Sequence, residues 1–424
     1  MAKTIPYIDL FCGAGGLSAG FQSAGFRAAF ANDYDEFACE TYAHNHPKCV
    51  VHHGDVAGVN GAEIAQAVRP DIPLIIGGPN CQGVSLRGKR NPDDPKNQMF
   101  FHFKRIINDV RPEWFVMENV PGLLHRHNRE LLTRIFREFD DIGYRCAAEV
   151  LLAADYGVPQ LRYRLVLVGT RTTDPIEFPD PTHAWPAPKT MTQAQLFSDG
   201  SRNLPPWETV ASAIRGLPRL KNGGGGAEAD YEENSDGDFR RWLCNGEAVL
   251  FNHQSHKTGQ NNIDLIRHIP AGGNWRDIPE ELRPGRFKHV ALKDHTTTYG
   301  RLAWDSQART ITTYFNNISA GAFTHPTQSR GISVREGARL QSFKDGFRFF
   351  GPLSRQYRQV GNAVPPLLAH HVARLIRRKI QRPGKKKRGA HAPAVVFDTA
   401  SGLPVTVRPV KGMRFNLDKH LVTT

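Results

Sequence analysis

Short apolar runs alternate with amphipathic stretches through the first 170 residues. Residues 7–11, 26–32, 49–51, 74–76, 114–117 and 165–168 are dominated by Ile, Val, Leu, Ala, Phe and Tyr. They are too short for helices and match buried strands. Between them, FFHFKRIINDV and RELLTRIFREF repeat apolar residues three and four apart, which predicts helices with one buried face. The alternation predicts βαβ units around a mostly parallel sheet, an α/β fold.

From about residue 175 the periodicity fades. Prolines stand at 175, 179, 181, 186 and 188, GGGG follows at 223–226, and a polar, acidic run extends to Asp238. Such texture predicts a smaller, irregular, loop-rich second domain. Helical periodicity returns in SVREGARLQSF and PPLLAHHVARLIRRKI. The expected division is 1–174 for the first part of the main domain, 175–329 for the second domain, 330–380 for the return, and 381–424 for a basic linker and tail. No internal repeat is apparent.

Composition narrows the class. Hydrophobic residues are 40% and charged residues 23% of 424, as in a soluble globular chain. No apolar run reaches the length of a membrane span, and the N-terminus lacks a signal-peptide layout. The six cysteines form no CxxC pair, so neither a disulfide framework nor a zinc site is expected, and a reducing, cytoplasmic setting is. The net charge of +14 is uneven: RLIRRKIQRPGKKKR, residues 374–388, holds nine cations and no acid. That cluster suits a polyanion such as nucleic acid; a solvated helix end is the plain alternative.

Three stretches carry candidate chemistry. DLFCGAGGLSAGF joins a strand to a helix through Gly13, Gly15 and Gly16, letting the backbone turn tightly beside a ligand. Asp33, about 20 residues on, is placed to bind a ribose, and Asp55 in GDV could accept from an adenine amino group; either could instead be a turn or cap residue. The spacing GAGG is not the dinucleotide pattern GxGxxG. GGPNCQGVS presents Cys81 in a turn beyond a strand end, where ligands of α/β sheets bind; Cys39 and Cys146, in apolar patterns, fit inert packing. ENVPG brings Glu118 to another strand end. VPQLRYR supplies Arg162 and Arg164, two apart and on one face if extended.

Taken in order, DLFCGAGG, GDV, the Cys-Gln loop, ENV, QLRYR, REGARLQSF and QVGNAVPP resemble the DNA cytosine 5-methyltransferases that use S-adenosylmethionine, over about residues 5 to 378. The resemblance implies a Rossmann-like class I methyltransferase domain with an inserted target-recognition domain. It implies a cofactor site of Asp9, Phe11, Gly13, Gly15, Asp33, Tyr34, Asp55, Val56, Pro79, Asn80 and Met99, with Asn362 and Ala363 returning to the methionine end. It implies catalysis by Cys81, Glu118, Arg162 and Arg164. The thiolate would add to carbon 6 of cytosine, Glu118 would hydrogen-bond ring nitrogen 3, and Arg164 with Arg162 would orient the base and favour the thiolate. The base must be flipped out of the duplex, with the loop at 83–98 closing over it. Gln82, Ser85, Arg87, Gln160 and Asn316 would meet double-stranded DNA. The chain is expected to be a monomer in the prokaryotic cytoplasm, associated with the nucleoid, not with a membrane. A cognate restriction endonuclease would be a system partner without direct contact.

The middle region, about 175 to 329, is expected to choose the DNA sequence. Arg276, Arg283, Arg286, Lys288, Lys293 and Arg301 are expected at phosphates or guanine edges, or as solvated charges. Histidines 253, 256, 289 and 295 lack metal-ligand spacing and fit structural roles. Two residues depart from the family pattern. Asn80 stands where proline normally precedes the nucleophile, removing a restraint on φ and adding an amide and an N–H. An ordinary methyltransferase, a DNA-binding homologue without turnover, and an enzyme of altered chemistry (transfer of another group, or deamination) all stay open on that residue. Lys344 replaces the usual proline of SFKDGF and is expected in a surface turn.

Overall fold

The structure is a computed structural model that describes residues 4–68, 72–79, 99–124, 128–185, 204–231, 237–244, 246–287, 290–291, 294–382 and 405–407. These fall into two compact units, one within 1–152, 163–181 and 368–424, the other within 153–162 and 182–367.

The first unit is built on one sheet. Its strands are β1 (Ile5–Leu10), β2 (Phe26–Asp33), β3 (Val50–His53), β4 (Leu74–Gly77), β5 (Trp114–Asn119) and β6 (Arg145–Leu152). After β7 (Gln160–Leu161), which belongs to the second unit, comes β8 (Tyr163–Thr170). Strands β9 (Glu228–Asp230), β10 (Val249–Phe251) and β11 (Ala308–Arg309) are also in the second unit, and β12 (Val405–Val407) returns to the first. The sheet order is β12-β6-β8-β5-β4-β1-β2-β3. Strand pairs are parallel except where β8 runs antiparallel between β5 and β6. Strand order reverses at β1, which lies between β2 and β4, so the loops leaving β1 and β4 open the crevice where α/β sheets hold ligands.

Helices α1 (Gly16–Ser23), α2 (Glu36–Asn45), α3 (Gly61–Ala67), α4 (Met99–Val110) and α5 (Arg129–Asp140) connect these strands. The two amphipathic runs become α4 and α5, whose Phe100, Phe103, Ile106, Ile107, Ile135 and Phe139 pack with Ile8, Ile75 and Phe115 in one core. Burying each such side chain stabilises the fold by about 1.5–3 kcal/mol. The predicted α/β class is observed. The pattern missed β6, where RCAAEVLL holds two alanines and a buried Glu149. Among the described residues no helix is long and apolar enough to cross a membrane.

The second unit is irregular, as its sequence texture predicts. Its helices are α6 (Val210–Ile214), α7 (Asp238–Cys244), α8 (Gln260–Arg267), α9 (Val334–Leu340) and α10 (Leu353–Asn362); α11 (Pro366–Gln381) then leads into the first unit. Strands β9 and β10 pair antiparallel, β7 and β11 parallel. Every residue of α9 is buried, charges included. Ser333 caps it with a reciprocal Glu336 bond. Glu336 takes both Arg330 nitrogens at 2.7 Å, and Arg339 pairs with Asp345 at 2.6 Å. Burial alone would raise the Glu336 pKa; the Arg330 guanidinium instead holds it well below the usual carboxylate range. These paired charges let a polar sequence occupy a core. Residues 330–367 fall in the second unit, whereas the sequence predicts them with the main domain.

Candidate active site

The turn after β1 is the first half of the site. Phe11, Gly13 and Gly15 all have positive φ, 57°, 52° and 91°. Phenylalanine rarely adopts that region, which marks a strained backbone. Gly13 N–H donates to Asp33 Oδ2 at 2.8 Å, and Asp35 N–H donates to Oδ1 at 2.9 Å. The carboxylate closing β2 is thus fixed beside the glycine turn; burial raises its pKa. Asn32 Nδ2 donates to the carbonyls of His52 and Gly54, tying β2 to the end of β3. Asp55 caps the following turn through the Ala57 N–H at 2.9 Å. Tyr34 stands out into solvent beside Asp33.

The two glycines serve differently. A Cβ on Gly15 would lie 2.8 Å from His46 Nε2 and 2.9 Å from Tyr42, whereas a Cβ on Gly13 meets nothing within 4 Å. Gly15 is held by packing from behind, and Gly13 keeps open space in front. That space beside a fixed carboxylate fits a ligand with a ribose. Gly15→Ala is therefore expected to lower the melting temperature more than Gly13→Ala, which meets backbone strain at φ 52° but no clash, while Gly13→Ala weakens S-adenosylmethionine binding at least about tenfold, checked by thermal melts and calorimetry.

Two expected cofactor residues have buried side chains. Asp9 is 1% exposed and lies beneath the turn, accepting from Ser18 Oγ at 2.5 Å, with Ser18 Oγ 2.7 Å from the Tyr42 hydroxyl. Burial raises its pKa to about 7. It supports the turn from inside. The Val56 side chain belongs to the hydrophobic core, because the turn capped by Asp55 points it inward.

The second half gathers at the ends of β4, β5 and β8. Arg164 Nε lies 2.6 Å from Glu118 Oε1, both side chains mostly buried. Burial lowers the Arg164 pKa, and Glu118 opposes that shift. Gly78 gives the carboxylate room: a Cβ there would stand 3.2 Å from Glu118 Oε2. Asn119 Nδ2 donates to the Pro79 carbonyl at 3.1 Å, anchoring the chain just before the cysteine loop. The sequence reading gave Asn119 no role, although it sits inside the quoted ENV motif. Met99 opens α4, partly buried against the core. Asn80, Cys81, Gln82, Ser85 and Arg87, with the whole loop at 83–98, lie outside the described residues.

In the second unit Arg162 and Gln160 are corrected. Arg162 is 1% exposed, and its guanidinium donates to the carbonyls of Ile311, Gly361 and Ala363 at 2.8–2.9 Å. It does not share a face with Arg164: Arg162 N–H turns back to the Gln160 carbonyl at 3.0 Å, interrupting the extended chain between β7 and β8. Gln160 is fully buried, donating to Leu340 O and accepting from Ile311 N–H, so its amide is not offered to DNA. Arg162 clamps the segment with Asn362, exposed at the end of α10, and Ala363, while Gln160 ties the chain at Ile311 to the end of α9. Asn316 is partly exposed.

The basic candidates divide. Arg301 is buried, donating to four main-chain carbonyls, and is structural, since four of its five N–H donors are spent inside the protein. Arg276 and Arg283 lie over Trp275, and Arg286 over Phe287 and Tyr299. Lys288, His289 and Lys293 lie outside the described residues. His253 is a satisfied core histidine between Ser333 Oγ and Pro218 O. Lys344 is half-buried over Trp242 at 4.8 Å, so its turn is not simply surface.

Comparison with known proteins gives a consistent result. The model of the family described as C-5 cytosine-specific DNA methylase matches residues 5–378. Type II methyltransferase M.AgeI of Thalassovita gelatinovora is 33% identical, covering 87% of this chain and 98% of its own. Type II methyltransferase M.XorII of Xanthomonas oryzae pv. oryzae is 36% identical, covering 89% and 87%. Among solved structures, a prophage-encoded protein of E. coli described as a DNA modification methyltransferase superposes with TM-score 0.69 at 24% identity, over 89% of this chain and all of that one. The Dnmt2 methyltransferase of S. pombe gives 0.55 at 16% identity, over 89% and 99%.

Proposed function

Since the chain belongs to the C-5 cytosine-specific DNA methylase family, we propose that it methylates a flipped cytosine through a covalent adduct to Cys81, within a specific duplex sequence. That it is a DNA cytosine-5 methyltransferase using S-adenosylmethionine follows from the family. The finer reading rests on one observation, the Glu118–Arg164 pair at 2.6 Å, with Glu118 on β5, the strand that pairs with β4 leading into GGPNCQ, and Arg164 on β8 beyond it.

The residue types suit the chemistry. Cytosine carbon 5 is a weak nucleophile. The Cys81 thiolate forms a bond to carbon 6, and the electron pair of the 5,6 double bond moves into the ring. Once the base is bound, Glu118 takes up a proton, donates toward nitrogen 3 and offsets the charge arriving there. Arg164 holds Glu118 in place and adds positive potential. When bound, S-adenosylmethionine supplies an electrophilic methyl group for carbon 5. A base then removes the carbon 5 proton, the double bond re-forms, and the Cys81 thiolate leaves. Phe11, Gly13, Gly15, Asp33, Tyr34, Asp55, Pro79 and Met99 are the proposed cofactor residues; Asn362 and Ala363 are proposed on sequence grounds alone. Carbon 6 of a base stacked in a duplex is out of reach of a protein thiolate, so extrusion is required. The second unit is proposed to choose the sequence, alongside a restriction endonuclease with the same target.

Labelled methyl transfer to a random duplex library, followed by nucleoside mass spectrometry and sequencing, tests this. The expected product is 5-methylcytosine in one sequence context. A different modified base would favour altered chemistry at Asn80, and no product would contradict the proposal.

A further inference from the structure

Helix α11 ends in a stripe of arginines that the catalytic chemistry does not use. Its buried side is Leu368, Val372, Ala373, Leu375 and Ile376, which seat the helix in the first unit. Arg374, Arg378 and Arg382 are exposed and four residues apart, so they follow one another along one face. The Arg382 N–H donates to the Arg378 carbonyl at 3.0 Å, which keeps the last of them in helical register.

Their neighbours on the helix are already engaged. Arg377 Nη1 donates to the Ala24 carbonyl at 2.7 Å, and Lys379 Nζ meets Glu177 Oε2 at 3.0 Å. The three arginines of the stripe have no acidic partner among the described residues. Other helices balance their arginines. On α4, α5, α7 and α8, Arg105, Arg134, Arg241 and Arg267 each meet an acid three or four residues away. α11 has none to offer, since residues 346–397 contain no Asp or Glu. Like charges four apart on a helix repel. The helix dipole favours cations in the last turn only, which accounts for Arg378 and Arg382 and leaves Arg374 one turn too early.

The stripe also stands away from the crevice. Arg377 fixes α11 to Ala24, which follows α1 and precedes β2. The glycine turn enters α1 at its other end, about 12 Å away along eight residues, and Asp33 closes β2 at its far end. Strands β1, β2, β4 and β5 run parallel, so Glu118, near the end of β5, lies at that far end too. Exposed Arg27 opens the near end of β2. Exposed guanidiniums without internal acids match a regularly charged polyanion, and duplex DNA presents a phosphate charge about every 1.7 Å of its axis.

We propose that the Arg374–Arg378–Arg382 face is a second duplex-DNA site, which grips phosphates without reading sequence and holds DNA beyond the segment in the crevice. This rests on the reading that the chain acts on duplex DNA. The test measures binding to a long duplex lacking the preferred sequence, over a range of salt. Neutralising all three, Arg374→Gln, Arg378→Gln and Arg382→Gln together, is expected to weaken that binding at least about tenfold at low salt. It should also lower the slope of log affinity against log salt by about 2 to 3. The triple lysine variant keeps the wild-type slope, because phosphate accepts either cation. In both variants, kcat on a saturating short duplex that carries only the target, S-adenosylmethionine affinity and the melting temperature stay at wild-type values. An unchanged slope in the glutamine variant, an equal loss in the lysine variant, or lost binding to phosphatidylserine vesicles with duplex binding intact overturns the second site while leaving the proposed function intact. Wild type that neither binds nor methylates any duplex overturns both.

Discussion

Cys81→Ala is expected to reduce methyl transfer by roughly four orders of magnitude or more while retaining duplex and S-adenosylmethionine binding. The reasoning is electronic. Carbon 5 becomes nucleophilic only when electron density enters the ring at carbon 6, and no other side chain in GGPNCQGVS can supply it. Cys81→Ser should be nearly as inactive, because a hydroxyl ionises far above the working pH. Rate measurements with labelled cofactor, paired with duplex titrations, separate loss of chemistry from loss of binding. Substantial turnover by the alanine variant would show that the sulfur is not the nucleophile.

Arg164→Ala is expected to lower kcat by about 10²- to 10³-fold, with a smaller change in KM for DNA. Arg164 and Glu118 form a mostly buried pair at 2.6 Å. Removing one partner leaves the other charge in poorly solvated surroundings, which costs about 3–5 kcal/mol; each 1.4 kcal/mol reaching the barrier is a factor of ten. Glu118→Gln should have a comparable effect, since the amide can donate toward a ring nitrogen but cannot deliver a proton. The double variant should be only slightly worse than either single one, because residues acting as a unit are non-additive. Fully additive losses would mean that the two contribute independently.

Much of the first unit was legible because its strands are short, apolar and separated by one-faced helices. β1, β4 and β5 could hardly be read otherwise. The reversed direction of β8 could not be read, since a buried strand has the same composition in either orientation. Asp9 came with the DLFCGAGG resemblance as a whole, and a motif does not say which of its side chains turn inward. Arg162 misled for a sharper reason. A spacing of two implies one face only along an unbroken strand, and here the chain turns at Arg162. Its three carbonyl partners lie 149 to 201 residues away, beyond any local pattern. α9 has seven buried residues that pairing makes tolerable; the arginine, glutamate and aspartate partners become neighbours only in the fold.

The central claim is that Cys81 bonds to the base it prepares for methylation. Duplexes carrying 5-fluorocytosine at the preferred target test this directly, because fluorine cannot leave as the proton does and the adduct persists. Incubation with S-adenosylmethionine, denaturing electrophoresis and peptide mass spectrometry should show a cofactor-dependent DNA–protein adduct mapped to Cys81. A protein that methylates ordinary duplexes at the same site yet forms no such adduct, or forms one through another residue, would contradict the account.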